Sequence, residues 1–516
     1  MSGKGFGADE MSVVLAHFLE QELRARPREI GELMRRAPPR AHEQLARLLV
    51  SRSGELSARI PAASGTSLRL LFADAGYLAR VAEMAWQRLR AGADAPALRI
   101  APQPLDASAV STLLAGRTNL ALIFAAEAVC LQDTLETLHA DERRWREREE
   151  MTAESRAPGI NLLAVHAEWL MPGGATRRAL VVDHGGMANE VMFDSPVPIH
   201  AAEVLHLPTD GEQELHRELS RYCAENHILE INPYPAAERA DDKFRAHTLW
   251  RQRGVTTPQS WLFARSLSPG EVAASLRGVL AQMGARGRRQ ALYLQPNRGT
   301  EGQGVARVEA AAPDLERLGS AHPAVAAIGR LGAVDDALVR EERGDTRFRH
   351  PGDGGLRRIA FRVNVGWDGK RFVAESGFAQ VAADETADAA SRGRGGSIVP
   401  VADAMASLWR RGARGWRLAA PAGSALQPMK CAAVAAAEAL NADLCETAFL
   451  KHLGIDIVLE SRGGRLAPVV LEANARPAGL AHAAVLESLP ATPATFTIGT
   501  AVFGFLSRIR GLWHHA

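Results

Sequence analysis

The sequence has few cysteines, almost no excess of charge and no long apolar run, and each absence excludes a class of protein. Its four cysteines, Cys130, Cys223, Cys431 and Cys445, lie far apart and fit neither a zinc-binding spacing nor a disulfide framework. We therefore expect reduced thiols in a cytoplasmic protein. A formal charge of +2, from 61 basic and 59 acidic residues, gives none of the basic excess that marks a nucleic-acid binder.

Apolar segments that could enter a membrane are also missing. The nearest candidate, Phe496–Leu506, is shorter than the ~18 residues that a membrane-spanning helix needs, and it predicts a buried helix. The first ten residues lack the apolar core of a signal peptide. With 516 residues, 47% hydrophobic and 23% charged, the composition is typical of a globular protein with two or three domains.

The first part of the chain predicts two successive regions. Residues 1–65 have apolar side chains at helical spacing and predict a helical N-terminal segment. Residues 66–235 alternate apolar strands such as Asn119–Ala125 with helices, which predicts an α/β domain with a largely parallel sheet. Asp183–Gly186 follows one strand, at the edge where open sheets bind ligands. A plain turn is the favoured interpretation of that segment.

The third region, residues 240–516, opens with a helix that Asp242 can cap. Lys243 occupies the first turn, where the helix dipole disfavours a cation, so we expect an anionic contact or a surface salt bridge. Further on, Ala291–Val305 predicts a strand, a glycine-rich loop and a strand, and its glycines let backbone N–H groups approach a phosphate. The loop has no P-loop Lys-Ser/Thr and opens no helix, which disfavours a P-loop and a Rossmann fingerprint.

Two arginines lie on one face of a predicted hairpin at Arg357–Glu375. Alternation along the strand places Arg358, Arg362 and Asn364 on that face. The arginines there can bind phosphate or carboxylate together, and a solvated, ion-paired face is the alternative. The following segment, Asp384–Gly396, has the composition of a mobile lid over an anion.

A second predicted hairpin carries the most informative side chains. Two β-branched runs flank a Gly-Gly turn at Gly463–Gly464. If Asp456 and Glu472 face the same way, two carboxylates and the Asn474 amide oxygen converge, which is a ligand set that Mg²⁺ uses. Arg476 would reach the same point with a fork suited to phosphate. An ordinary hairpin with solvated acids is the alternative interpretation.

The order of these motifs over Asp242–Leu480 resembles the ATP-grasp superfamily, as in glutathione synthetase and D-alanine–D-alanine ligase. The resemblance implies an α/β pre-ATP-grasp domain followed by an ATP-grasp fold of two α+β subdomains. It also implies ATP, Mg²⁺ and a carboxylate that is activated as an acyl phosphate for attack by an amine or thiol.

The resemblance assigns roles to individual residues. Nucleotide contacts would come from Lys243, Gln295, Arg298, Gly299, Thr300, Gly302, Gly304, Glu341 and Glu342, the two glutamates lying at the adenine and ribose edge. The metal ligands would be Asp456, Glu472 and Asn474. The phosphates or the acyl phosphate would be contacted by Arg358, Arg362 and Arg476.

One position departs from the family. Gln295 stands where a lysine usually precedes the proline, so either Arg298 replaces that lysine, the register is shifted, or nucleotide binding is weakened. The prediction is an ATP-dependent carboxylate–amine ligase acting on small molecules, amino acids or peptides, with no nucleic-acid or membrane partner. A phosphotransferase and a nucleotide-binding regulatory protein are the alternatives. A homodimer is the working expectation for the assembly.

Overall fold

The computed structural model describes much of the chain, and its contacts divide the chain into unit 1, Met1–Glu230, and unit 2, Ile231–Ala516. The described residues are 103–105, 114, 118–125, 160–182, 188–205, 207, 211–284, 291–299, 304–309, 319–320, 322–391, 394, 396–412, 415–419 and 422–476. The predicted helical segment 1–65, the Asp183–Gly186 turn and the predicted helix at Phe496–Leu506 lie outside them. Within these ranges, no helix has the length and apolar character that crossing a membrane requires.

Unit 1 is built on one sheet, which we call sheet 1. Its elements are β1 Gln103–Leu105, β2 Thr118–Phe124, β3 Ile160–His166, β4 Leu170–Met171, β5 Ala175–Val182, β6 Ala188–Pro198, β7 Ala201–Val204, α1 Glu212–Glu225 and β8 Leu229–Glu230. The strand order is β1-β6-β5-β3-β2-β7-β8, and β4 pairs with β5. Every residue of β2 and β3 is buried, as expected for strands covered on both faces.

Sheet 1 is mixed rather than largely parallel. The pairs β1–β6, β2–β3, β2–β7 and β7–β8 are parallel, whereas β5 runs antiparallel to β3, β4 and β6. The turn before β5 contains Gly173 and Gly174 at φ 83° and 71°, a backbone conformation that favours glycine and reverses the chain within a few residues. A buried strand has the same run of apolar residues whether it pairs in parallel or antiparallel, so the sequence pattern could not reveal this reversal.

In its described residues, unit 2 contains six α-helices and three antiparallel sheets. It opens with α2 Tyr234–Asp241 and α3 Lys243–Gln252. Sheet 2, in the order β11-β10-β12-β9, packs with two helices; its elements are β9 Ser260–Phe263, α4 Pro269–Gly284, β10 Ala291–Pro296, β11 Ala306–Glu309, α5 Pro323–Gly332 and β12 Ala337–Glu341.

The other two sheets alternate along the chain. Sheet 3, in the order β14-β13-β18-β19, consists of β13 Thr346–Arg349, β14 Leu356–Arg357, β18 Leu408–Gly412 and β19 Gly415–Leu418. Sheet 4, in the order β17-β16-β15-β20-β21, consists of β15 Ile359–Trp367, β16 Phe372–Val381, β17 Ser397–Val399, β20 His452–Arg462 and β21 Arg465–Asn474. The helices α6 Val401–Ala406 and α7 Leu426–Asn441 contribute to the core beside sheet 4.

Two separate cores make unit 2 a pair of α+β subdomains, as the resemblance implied. In one core, Leu292, Leu294 and Val339 of sheet 2 pack with α4 and α5. Alternation therefore leaves Tyr293, Gln295 and Arg340 on the opposite face of sheet 2. In the other core, sheet 4 packs against α7.

Asn232 ties together the two strands that carry the predicted metal ligands. Its side-chain amide donates to the carbonyls of His452 and Ala475, at 2.5 and 2.6 Å. Its carbonyl oxygen accepts from the backbone N–H groups of Lys451 and His452, at 2.7 and 3.1 Å. One buried side chain thus fixes the start of β20 against the end of β21.

Replacing Asn232 with leucine should cost unit 2 about 3 kcal/mol or more of unfolding free energy, because four buried backbone groups lose their partner. Urea denaturation measures this. The matched control is Thr248→Ala, which removes one exposed hydrogen bond from its hydroxyl to Phe244 and should cost less than about 1 kcal/mol. Equal losses in the two variants would show that Asn232 does not hold these strands.

Candidate active site

The register of the β20–β21 hairpin brings the predicted metal ligands together. Asp456 lies directly opposite Glu472, and Gly454 lies opposite Asn474. A β-bulge follows between Asp456 and Ile457. Asp456, Glu472 and Asn474 are all partly buried, and the Asn474 amide nitrogen lies 3.4 Å from Asp456 Oδ2. Two carboxylates and an amide therefore lie near one another, with the amide nitrogen rather than the predicted amide oxygen facing Asp456.

Arg362 reaches the same point from the neighbouring strand. It is the register partner of Asp456 on β15, and its guanidinium donates two hydrogen bonds, Nε to Oδ1 at 2.5 Å and Nη2 to Oδ2 at 2.9 Å. Gly454 makes room for it, because a Cβ there would lie 2.8 Å from Arg362 Cδ. Burial raises the pKa of Asp456, and Arg362 opposes that shift while Glu472 adds to it.

A second buried arginine, Arg340, lies close enough to Glu472 for the two opposite charges to interact. It lies on the face of sheet 2 opposite the core formed with α4 and α5, and its Nη1 donates to the Leu471 carbonyl at 3.3 Å. Burial lowers the pKa of Arg340, and the charge of Glu472 acts in the opposite direction. Arg340 was not predicted from the sequence. The sequence pattern that could have revealed Arg340 is a charged residue that alternates with core residues along β12.

The ligand set suits Mg²⁺ by its chemistry. Asp456, Glu472 and Asn474 offer hard oxygen atoms, and a small number of such ligands fits an ion that keeps several waters. No group of three or more His, Cys, Asp or Glu side chains in the described part of the chain could hold a metal.

His247 links the two subdomains at the strand that carries Glu472. Its Nε2 lies 2.8 Å from the Leu471 carbonyl, and its Nδ1 is hydrogen-bonded to the Ser260 hydroxyl. A neutral ring that donates from Nε2 to the carbonyl must accept from the hydroxyl at Nδ1. Leu471 O thus receives hydrogen bonds from α3 and from Arg340, one residue before the predicted metal ligand.

The glycine-rich loop is anchored to the first turn of α3. Lys243 Nζ donates to the Gly299 carbonyl. The Asn297 side chain donates to Asp242 Oδ1 and accepts from the Phe244 N–H, both at 2.9 Å. The expected anionic contact of Lys243 is thus replaced here by a carbonyl. Asp242 caps α3 as predicted, whereas Asn297 was missed.

Other predicted loop residues have separate placements. Arg298 donates its backbone N–H to Asp335 at 2.6 Å, and its guanidinium lies 3.6 Å from Asp242. Gly304 adopts φ +67°, and a Cβ there would meet Leu331 Cδ2 at 2.9 Å, so the position favours glycine. Thr300 and Gly302 lie outside the described residues.

Gln295 carries one of the buried polar atoms that have no hydrogen-bond partner among the described residues. The side chain is 3% exposed, and its Nε2 has no hydrogen-bond partner among the residues that the structure describes. A buried unpaired donor costs about 1–3 kcal/mol. An acceptor from a bound ligand would remove that cost, so the position fits a contact to a phosphate oxygen.

The two glutamates at the end of β12 are held by arginines. Glu342 accepts from Arg307 at 2.9 Å and from Arg358 at 2.8 Å. Burial raises the pKa of Glu342, but these hydrogen bonds outweigh it and lower the pKa to about 2. Glu341 accepts from Arg343 at 3.0 Å. Arg358 is therefore held by Glu342.

Arg476 and the predicted lid segment also have defined contacts. Arg476 Nη2 binds both carboxylate oxygens of Asp241, at 2.8 and 2.9 Å. In the lid segment, Asp388 accepts from the Arg307 N–H, and Arg394 donates to the Val305 carbonyl, both at 3.2 Å. The segment therefore contacts the strand that follows the glycine-rich loop.

Comparison with known proteins gives matches only among solved structures. No protein-family model and no curated protein matches the sequence. A D-cycloserine synthetase is 18% identical, with 76% of this chain and 99% of that chain covered and a TM-score of 0.42. The VanG D-Ala:D-Ser ligase from Enterococcus faecalis is 13% identical, with 70% of this chain and 91% of that chain covered and a TM-score of 0.39. The D-alanine–D-alanine ligase from Bacillus anthracis complexed with ATP is 12% identical, with 78% of this chain and 99% of that chain covered and a TM-score of 0.40.

All three matches are named as ligases or synthetases, the kind of enzyme that the sequence motifs resemble. Identities and TM-scores this low carry no activity or substrate over to this chain. Its chemistry has to follow from its own side chains.

The burial of His247 predicts a pH-dependent stability. Burial and the charge of Arg340 lower the pKa of His247 from 6.5 to about 3. Protonation therefore favours the unfolded chain, so this contribution is complete above pH 6.5 and is lost as pH falls toward 3. We expect His247 to account for a loss of about 2 kcal/mol between pH 7 and pH 5.

Urea denaturation of His247→Gln at pH 7, 6 and 5 tests this expectation. Glutamine keeps an N–H donor but does not titrate, so the variant should lose less stability on acidification than the wild type. The control is His350→Gln, which replaces a histidine that is 32% exposed and lies beside Asp353. It should keep the wild-type dependence of stability on pH. An unchanged slope in His247→Gln would contradict the assignment.

Proposed function

We propose that the protein is an ATP-dependent carboxylate–amine ligase that acts on amino-acid or peptide substrates through an acyl phosphate. The observation that carries the proposal is the pairing of Asp456 with Glu472 across one hairpin, with Asn474 beside them and Arg362 forked onto Asp456. A cytoplasmic location of the protein and small-molecule substrates are also parts of this proposal. So is contact of Arg298 with a phosphate, in place of the lysine that usually stands at the position of Gln295.

The reaction explains why such a cluster is needed. A carboxylate is a poor acyl donor because oxide would have to leave. Transfer of the γ-phosphoryl group from ATP to a carboxylate oxygen gives ADP and an acyl phosphate. The amine then attacks the carbonyl carbon, phosphate leaves, and the nitrogen loses a proton. Catalysis of phosphoryl transfer consists mainly of positioning and charge neutralisation.

The residues divide these tasks. Asp456, Glu472 and Asn474 would hold Mg²⁺, which supplies charge neutralisation to the phosphates when bound. Arg362 and Arg340 bring two fixed positive charges to the same place. Since these arginines are already held by Asp456 and by the Leu471 carbonyl, they need little reorganisation during the reaction.

The nucleotide's phosphates would lie between the glycine-rich loop and the face of sheet 2 that carries Gln295 and Arg340. Lys243 and the backbone at Gly299 are already in contact at one end of the loop. Gln295 offers its unpaired amide to a phosphate oxygen from the same face that carries Arg340. This places the neutral glutamine in the role of a hydrogen-bond donor, without the charge of a lysine.

A nucleotide-binding regulatory protein is the second candidate, and two observations favour it. Both carboxylate oxygens of Asp456 are engaged by Arg362, and Gln295 brings no charge to the phosphates. Such a protein would bind nucleotide without turning it over.

The proposal is tested by ATP turnover with Mg²⁺ in the presence of amino acids, dipeptides and small carboxylates, with mass spectrometry of the products. We expect ADP, phosphate and an amide product that requires both an acid and an amine. Glu472→Ala should lower the rate about 100-fold or more, as expected when charge stabilisation in the transition state is lost. The matched control, Glu438→Ala, removes an exposed acid from α7 and should keep the wild-type rate.

Other outcomes separate the alternatives. A phosphorylated acceptor with no amide would indicate a phosphotransferase. Nucleotide binding without turnover under all substrate combinations would indicate the regulatory protein and would contradict the ligase.

A further inference from the structure

Sheet 3 has a face rich in arginine and tryptophan that the proposed reaction does not use. Its four strands contain six arginines, two tryptophans and no aspartate or glutamate. Phe348 and Leu408 turn one face toward the core. Neighbouring residues along each strand point the other way. They form what we call the arginine–tryptophan face: Arg347, Arg349, Trp409, Arg411 and Trp416.

The arginines of this face have no acid in direct contact among the described residues, although the charges of Glu342 and Asp345 act on Arg347. Within the part of the chain that the structure describes, Arg347, Arg349 and Arg411 form no ion pair with an acid. Arg349 and Arg411 are exposed. Leu418, opposite Trp409 in the register, leaves 49% of its surface exposed. An exposed row of like charges beside apolar side chains is typical of a binding surface for an anionic partner.

The tryptophans are covered by the arginines. The guanidinium carbon of Arg349 lies 4.6 Å from the centre of the Trp409 ring, and that of Arg347 lies 5.6 Å from the centre of the Trp416 ring. This arrangement restricts the guanidinium groups and leaves N–H donors available for carboxylates. It also takes ring surface that a nucleic-acid base would need for stacking.

The arginine–tryptophan face continues toward the candidate active site. Burial and then the positive charge of Arg358 lower the pKa of Arg347, and Glu342 opposes that shift. Arg358 and Arg340 lie 5.6 and 5.9 Å from the centre of the Tyr293 ring. A succession of cations therefore leads from exposed Arg349 to Arg340 beside Glu472, with Glu342 as the acid held within it.

We propose that the arginine–tryptophan face binds the acidic side chains of a peptide substrate whose reacting end enters the site at Asp456 and Glu472. This inference rests on the proposed ligase function. A peptide fits better than a nucleic acid because the indole rings are covered and because the whole chain has a formal charge of only +2. Six extended residues span about 20 Å, enough to cross four strands, whose three spacings total about 15 Å.

The test uses the full-length protein and fluorescently labelled hexaglutamate, without ATP or Mg²⁺, followed by fluorescence anisotropy. The face variant is Arg349→Glu with Arg411→Glu. The control variant is Arg371→Glu with Arg417→Glu, which makes the same change in net charge at exposed arginines away from this face. We expect the face variant to bind at least about tenfold more weakly, and the control to stay within about twofold of the wild type.

A measurement on the wild type alone covers failure of a variant to fold. Hexaglutamate should protect Arg349 and Arg411, but not Arg371, from phenylglyoxal modification mapped by mass spectrometry. No binding to the wild type, equal loss in both variants, or no protection would overturn the inference. Tighter binding of hexathymidylate at the same face would also overturn it, in favour of a nucleic-acid surface.

The two proposals can fail separately. The hexaglutamate measurement contains neither ATP nor Mg²⁺, so it reports on the arginine–tryptophan face whether or not the protein turns over ATP. Absence of ATP turnover under all conditions would contradict the ligase and leave the bound acidic peptide without a reaction. An active ligase that does not bind hexaglutamate would overturn this inference alone.

Discussion

The antiparallel register among β15, β20 and β21 is the constraint on which the candidate site depends. It places Arg362 opposite Asp456 and Asp456 opposite Glu472. Because side chains alternate between faces, a slip of one residue would send a ligand into the core and bring a core residue out. The bulge after Asp456 and the absence of a side chain at Gly454 fit this arrangement, since the first shifts the register and leaves Leu471 without a register partner on β20, and the second admits Arg362.

Buried polar groups around the hairpin preserve that register. Asn232 fixes the ends of both strands, and His247 and Arg340 hold the carbonyl of Leu471 from two different elements. Buried polar groups are costly when they lose a partner, so these contacts make small displacements of Glu472 unfavourable. Gln295 differs because its amide is buried without a partner in the described part of unit 2. That cost makes sense if a ligand supplies the missing acceptor.

Short-range patterns predicted the local elements, whereas long-range pairing decided the rest. The hairpin of Asp456 and Glu472, the capping of α3 by Asp242 and the loop between β10 and β11 all follow from neighbouring residues, and the sequence located each of them. The partners of Arg476 and Arg358 could not be predicted, since Asp241 and Glu342 are distant in sequence. The mixed sheet of unit 1 was missed because an apolar strand carries no sign of its direction. Arg340, His247 and Asn297 were missed because each acts through one contact with a distant backbone or side chain.

The central claim is that Asp456, Glu472 and Asn474 bind Mg²⁺ together with a nucleotide. Calorimetric titration of a non-hydrolysable ATP analogue, with and without Mg²⁺, tests it without knowledge of the substrates. We expect Mg²⁺ to strengthen binding of the analogue to the wild type by about tenfold or more, which corresponds to at least ~1.4 kcal/mol of binding free energy. We expect Glu472→Ala to abolish this effect. Equal strengthening by Mg²⁺ in the wild type and in Glu472→Ala, or no binding of the analogue by the wild type, would contradict it.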